Sequence, residues 1–365
     1  MRRAERASAG RRARERLRIA ALLVGLVSTA VGCGGCSPTY VLRAAYEESR
    51  ILWSREPIDE LLGQANPAEL SERERKQLEL VQAARKFAED ELGLSVGGAY
   101  GSLADVPPGA LLWVVSAAER LHLRPYSWWF PIVGSVTYKG FFDSAEAEAE
   151  ADSLEEKGYD TFVRRSAAFS TLGWFDDPVL SPWLESTPVG LVQLVLHELL
   201  HRTTYLPGKT DFNESFASFV GNEGAVAFFA VHDGPEAETT LEARKSVAEE
   251  LDLSRRWGSA VDRLRALYRD GSREKRPEAE ILDDRGEIFA ELGPADRINN
   301  AVVLARYAYM AHLDRFGCAL EEAGGDLRAA IARVRLDSEK VSGDDDPFDV
   351  LPVCAAPPVA PAAIS

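Results

Sequence analysis

"LVLHELLHRTTYLPGKTDFNESFASF", Leu194 to Phe219, sets two histidines four residues apart in a run otherwise made of leucine and valine. Residues four apart stand on one face of a helix, so His197 and His201 project together about one turn apart. The apolar run Leu191 to Leu196 buries such a helix, and Ser186 with Pro188 supplies its start signal. Imidazoles sunk in hydrocarbon need a partner. That partner is either a set of backbone carbonyls, as in an ordinary buried helix, or a metal ion.

Glu198, one residue past His197, points to a neighbouring face, where a carboxylate can take a proton from water beside a metal. A third ligand must then come from elsewhere. Glu214 fits: Pro207-Gly208 is a turn that reverses the chain, Asn213 is a cap for a second helix, and Glu214 falls in its first turn. Two histidines and one carboxylate bind a single Zn2+ per chain and leave a fourth position open, as hydrolysis requires. Glu223 is the rival third ligand, but nine residues past Glu214 it falls on the opposite helix face.

Outward from this stretch, nearly everything after Thr187 reads as helix: Pro188 to Arg202, Asn213 to His232, Glu236 to Tyr268, Pro294 to Phe316 and Leu327 to Leu336. Before it, Val41 to Leu62 and Ser71 to Leu92 show helical spacing. Leu111 to Ala117, Trp128 to Phe141 and Asp160 to Phe169 are rich in β-branched and aromatic residues, with a charged helix between the last two. The expected fold class is therefore α+β. A predominantly helical domain, residues 41–350, carries a small β-sheet before the metal-binding helix, and 351–365 is a disordered proline-rich tail.

The formal charge is −16 overall and +6 over residues 1–36, which leaves −22 for the rest. So acidic a body repels polyanions, which excludes nucleic acid as a partner and favours peptides or cations. Residues 1–36 join a basic segment to the apolar run Ile19 to Gly32, too short for a comfortable membrane span and ending in Gly-Cys at Cys33 and again at Cys36. This reads as an export signal with a lipid-anchored cysteine, Cys33 or Cys36, which places the chain on the bacterial cell envelope facing the periplasm. Cys318 and Cys354 then lie in an oxidising compartment, where a disulfide between them would fasten the C-terminal tail.

The segment "NESFASF", Asn213 to Phe219, resembles the stretch that carries the glutamate ligand in gluzincin aminopeptidases, and His197, Glu198, His201 and Glu214 match that motif residue by residue. "CSPTY", "SREPIDELL", "WWFPIVGSVTYKGFFD", "FSTLGWFDDPVLS" and "RINNAVVLARYAYM" extend the likeness to a group of bacterial proteins assigned as zinc aminopeptidases, many of them lipoproteins. The resemblance spans nearly the whole mature chain and implies a zincin-like fold and zinc-dependent peptidase activity. Two departures stand out. Only twelve residues separate His201 from Glu214, and Ser218 occupies the position where thermolysin-like endopeptidases carry an aspartate that orients a ligand histidine, so Asp211 or Glu223 would have to replace it.

Supporting groups follow from the same chemistry. Thr171, Leu172 and Gly173, just upstream of the metal helix, are candidates for a sheet edge that pairs with an extended peptide; an ordinary turn is the alternative. Tyr309, or the neighbouring Tyr307, on the "NNAVVLARYAYM" helix is a candidate donor to the oxyanion. Asp176 and Asp177 are candidates for a substrate α-ammonium. His232 and His312 read as structural or exposed, and His122 has no supporting context. Together these residues describe a zinc peptidase, most simply an aminopeptidase with Glu198 as general base. The competing readings are an envelope endopeptidase and a non-catalytic lipoprotein on a zincin scaffold.

Overall fold

The computed structural model describes residues 53–63, 70–106, 112–130, 134–166, 176–294, 297–343 and 345–354. Cys33, Cys36, the expected edge at Thr171 to Gly173 and the tail beyond residue 354 lie outside these. The described chain is α+β and mostly helical, with ten α-helices and three small sheets. No described helix is long and apolar enough to cross a membrane.

The first described elements are β1 (Glu56–Pro57), α1 (Ile58–Gly63) and α2 (Glu72–Asp90). The helix expected across Val41 to Leu62 is thus interrupted at Glu56–Pro57, where a proline without an amide hydrogen starts the turn into α1. In contrast, α2 begins where its sequence says: Ser71 accepts from the Glu74 amide while the Glu74 carboxylate accepts from the Ser71 amide at 2.7 Å. Strand β2 (Ser102–Ala104) lies between β1 and β8 (Val179–Leu180), antiparallel to the first and parallel to the second.

The second sheet has the order β6–β3–β7, with β3 (Leu112–Glu119) antiparallel to both β6 (Tyr138–Phe141) and β7 (Tyr159–Ser166). Trp128 to Phe141, expected as one strand, divides into β4 (Trp128–Phe130), its partner β5 (Gly134–Val136), and β6. Helix α3 (Ser144–Glu155), capped by Asp143, crosses from β6 to β7. Alternation of side chains gives this sheet two different faces. Val115, Ala117, Phe141, Tyr159 and Val163 form a small separate core with Ala147, Ala151 and Leu154 of α3. The other face carries Asp160, Phe162 and Arg164 of β7, and also Tyr138, because Tyr138 is opposite Ser116 and Ser116 is opposite Phe162. Phe162 packs on the main core. Asp160 receives the Arg285 guanidinium at 2.8 Å and the Asn300 amide at 3.0 Å, which pins the sheet to the helical half.

That half contains α4 (Pro188–Thr203), α5 (Thr210–His232), α6 (Glu238–Glu274), α7 (Glu278–Leu292), α8 (Asn300–Tyr307), α9 (Leu313–Glu322) and α10 (Leu327–Ser338). Helix α7 lies outside the segments whose spacing reads as helical, and α6 runs on past its expected end at Tyr268. The helix expected from Pro294 to Phe316 is broken. Residues 308–312 form turns between α8 and α9, and His312 adopts a left-handed conformation at φ 53°. Cys318 and Cys354 form a disulfide with Cα atoms 5.5 Å apart, and the segment before Cys354 puts Phe348 against Phe212 and Phe316.

Candidate metal centre

Helix α4 starts with Pro188 at its first turn, and its cap is Thr187 rather than Ser186: the Thr187 hydroxyl accepts from the Gly190 amide. Val189, Leu191, Val192, Val195, Leu196, Leu199 and Leu200 are all buried, so the helix is fixed on most of its circumference. Its remaining face holds His197 and His201. Helix α5 lies against it through Ala217, Gly221 and Gly224, which continue the stripe begun by Glu214 at spacings of three and four. A Cβ at Gly221 would stand 2.7 Å from the Gln193 carbonyl oxygen and 3.4 Å from His197 Cβ; one at Gly224 would stand 2.7 Å from a Leu196 methyl. Glycine is what lets the two backbones approach this closely.

The connection between α4 and α5 reverses at Pro207-Gly208, with Gly208 at φ 77°. Helix α5 begins at Thr210, earlier than expected, so Asn213 is not its cap and Glu214 lies past the first turn. Asn213 instead clamps the connection, accepting from the Leu206 amide at 2.9 Å and donating to the Leu206 carbonyl at 2.8 Å. A buried amide satisfied on both sides holds the loop against the helix that carries Glu214.

Three ligand atoms converge here. His197 Nε2 and His201 Nε2 are 3.1 Å apart, and Glu214 Oε2 is 3.3 Å from the first and 3.5 Å from the second. Donors about 2.05 Å from a tetrahedral ion are separated from one another by about 3.3 Å, so these three atoms have the mutual spacing of three corners around a divalent metal. Among the described residues, His197, His201 and Glu214 are the group that could hold such an ion. Without it, burial opposes the charge on Glu214, but hydrogen bonds from both histidines outweigh burial and hold its carboxyl far below the usual carboxylate range. Burial likewise opposes a charged His201, and its hydrogen bond with Glu214, helped by the charges of Glu214 and Glu198, raises its pKa nonetheless. Glu223 stands outside the group, its pKa raised by burial alone.

Glu198 is 8% exposed and lies within electrostatic range of His201, Tyr100, Tyr138 and Tyr309, so it faces the same cleft. Tyr309 stacks on His197 with ring centroids 6.1 Å apart and planes 22° from parallel. It occupies the break between α8 and α9, not a helix. The carbonyls on either side of it are captured by buried serines: Ser215 donates to Ala308 O at 2.8 Å and Ser254 to Met310 O at 2.7 Å. Ser215 is the neighbour of Glu214, so one turn of α5 fixes both a candidate ligand and the tyrosine opposite it. Tyr307 is buried in the core.

The sheet and the loop add residues that sequence reading missed. Tyr138, 45% exposed, stands in the cleft within range of Glu214, Tyr309, Tyr205 and Glu198, and the surrounding protein together with these charges raises its pKa. Tyr205 sets its ring edge toward His201 at 6.4 Å. Burial, then Glu214, pushes Tyr309 up to about 12, while the positive charge of Arg164 pulls the other way. All these phenols are therefore protonated donors at neutral pH. Asp176 pairs with Arg202 at 3.0 Å, and Asp177 is 4% exposed, so both aspartates are already engaged. The other three histidines have their own neighbours: His122 faces Glu119, His232 faces Asp233, and His312 packs on Phe348.

A family model described as "Putative aminopeptidase" matches residues 39–341. The chain belongs to this family. The match covers every strand and all ten helices described above, including the cleft and its three convergent ligand atoms. No curated protein and no solved structure matches the chain.

Proposed function

We propose that this member of the aminopeptidase family is a zinc-dependent peptidase in which His197, His201 and Glu214 hold the metal and Glu198 is the general base. The observation that carries the reading is the mutual spacing of the three ligand atoms, with Glu198 on the same cleft. A zinc ion in that position supplies positive charge that polarises a peptide carbonyl and acidifies water. Glu198 takes the proton of the attacking water at its carboxylate and delivers it to the amine that leaves. Tyr309 donates its hydroxyl hydrogen to the carbonyl oxygen as that oxygen becomes anionic. The outer edge of β7, at the end of its sheet, is where the extended substrate backbone would pair.

The same proposal includes the cell-envelope setting: export by the N-terminal signal, a lipid on Cys33 or Cys36, and a periplasm-facing domain. A disulfide between Cys318 and Cys354 is chemically suited to that compartment.

Replacing Glu198 with glutamine keeps the isosteric side chain but removes the base. Zinc content should be unchanged while peptide turnover falls by about 10²- to 10⁴-fold. Undiminished turnover in Glu198→Gln rejects the mechanism.

Engagement of Asp176 and Asp177 supports a second reading, in which cleavage does not depend on a free α-amine. Peptides with free and acetylated N-termini separate the two: an aminopeptidase cleaves only the free form, an endopeptidase both.

A further inference from the structure

Tyr205 packs against His201 with ring centroids 6.4 Å apart and planes 72° from parallel, and it is 47% exposed. Centroids about 4.5–7 Å apart are those of aromatic rings in contact, so the phenol leans on a proposed ligand while much of its surface meets water. Its backbone is held from both sides. The Thr204 amide closes α4 on the Leu200 carbonyl at 2.9 Å, and Leu206 is clamped by Asn213 through both its amide and its carbonyl. We infer that Tyr205 is a specificity-determining residue, the wall of a subsite that takes a bulky apolar side chain of the peptide, such as leucine or phenylalanine.

A half-exposed aromatic is ordinary on a protein surface; what sets Tyr205 apart is its neighbour. The ring lies against one of the three side chains that converge on the candidate metal centre, so its wet surface is within reach of a side chain beside the bond to be cut. An apolar side chain laid there takes the ring out of water, and each methylene covered tightens binding by roughly fourfold. The clamped backbone adds to this. A tyrosine has only two side-chain torsions, so a ring whose main chain is already fixed loses little freedom when it is covered. The two tyrosines on the two histidines thus differ in use: Tyr309, between carbonyls taken by Ser215 and Ser254, is stacked on His197, whereas Tyr205 is presented to solvent on a loop.

The inference rests on the peptidase reading, and the two fail differently. The substrates are an alanine hexapeptide and its variants with one leucine, phenylalanine or lysine moved along the chain, their cleavage followed by mass spectrometry. A zinc-loaded wild type that cleaves none of them rejects the peptidase reading and the subsite with it; an active enzyme without the preference below rejects the subsite alone. Leucine or phenylalanine at one position should raise kcat/KM by about 10- to 100-fold over alanine. In Tyr205→Ala that ratio should shrink to about threefold or less, and Tyr205→Phe should keep it, because the ring and not the hydroxyl is the wall. Calorimetry of the leucine and alanine peptides on zinc-loaded Glu198→Gln, with and without Tyr205→Ala, should show the same change as a ratio of Kd values. An unchanged ratio in Tyr205→Ala overturns the role, as does a lysine preference that this variant abolishes. So does a kcat loss in Tyr205→Phe that is equal on every peptide, the mark of a proton donor. Should Tyr205→Ala lose zinc, Tyr205→Trp decides: the larger wall should shift the preferred residue from phenylalanine to a smaller one, and an unshifted preference overturns the role.

Discussion

Ser215 shows how closely single side chains are shared between structure and site. It follows the proposed ligand Glu214 on α5, it is fully buried, and its hydroxyl satisfies the Ala308 carbonyl freed where α8 ends. Ser215→Ala should therefore cost about 1–3 kcal/mol of stability, the penalty of an unsatisfied buried carbonyl. Zinc content should hold, since the ligands are untouched, while turnover should fall because Tyr309 loses one of its two anchors; urea unfolding and peptide assays read the two effects separately. At this scale the sequence was most informative where chemistry is local. His197, Glu198 and His201 need only the helical period to be placed together, and Glu214 needed a turn and a helix. Arg164 and Tyr138 were invisible because they reach the cleft from strands far away in the chain, although the alternation of Asp160, Phe162 and Arg164 already marked one face of β7. Tyr309 was singled out, yet for a helix it does not occupy.

At the scale of elements, the decisive contact is α4 on α5. The Glu214, Ala217, Gly221, Gly224 stripe brings the glutamate within 3.3 Å of His197, and at Gly221 the neighbour is backbone, which cannot swing aside. Gly221→Val should push the helices apart and cost about 1–3 kcal/mol or more. Zinc affinity should drop with it, because Glu214 rides on the displaced helix; chelator competition measures this, and unchanged affinity would show that the glycine contact does not set the ligand spacing. The broken helix at 308–312 was illegible for a related reason. The run from Asn300 to Phe316 keeps a helical pattern throughout, and the break is a tertiary effect, stabilised by Ser215 and Ser254 taking carbonyls that a continuous helix would use.

For the whole molecule, composition and periodicity indicated a mostly helical α+β unit, and the structure adds that it has two cores: a large helical one, and a small one where α3 covers the outer face of the β6–β3–β7 sheet. Glu150 ties that small core together, accepting from Trp128 Nε1 at 2.8 Å and Lys139 Nζ at 2.9 Å. Burial opposes its charge, but the bonds from Lys139 and Trp128 win and lower its pKa below 4.5. Its contribution is therefore present above pH 4.5 and is lost as pH falls through the lower folded value. Glu150→Gln should cost about 1.5–3 kcal/mol at pH 7 and much less at pH 3, read from urea midpoints at the two pH values. The sheet in turn delivers Tyr138 and Arg164 to the cleft, so the two cores meet at the candidate metal centre. That centre is the central claim, and the most direct measurement is the metal content of the purified protein beside His201→Ala. One zinc per chain in the wild type, lost in the variant, is the predicted result; no bound metal in the wild type, or equal zinc in both, would contradict it.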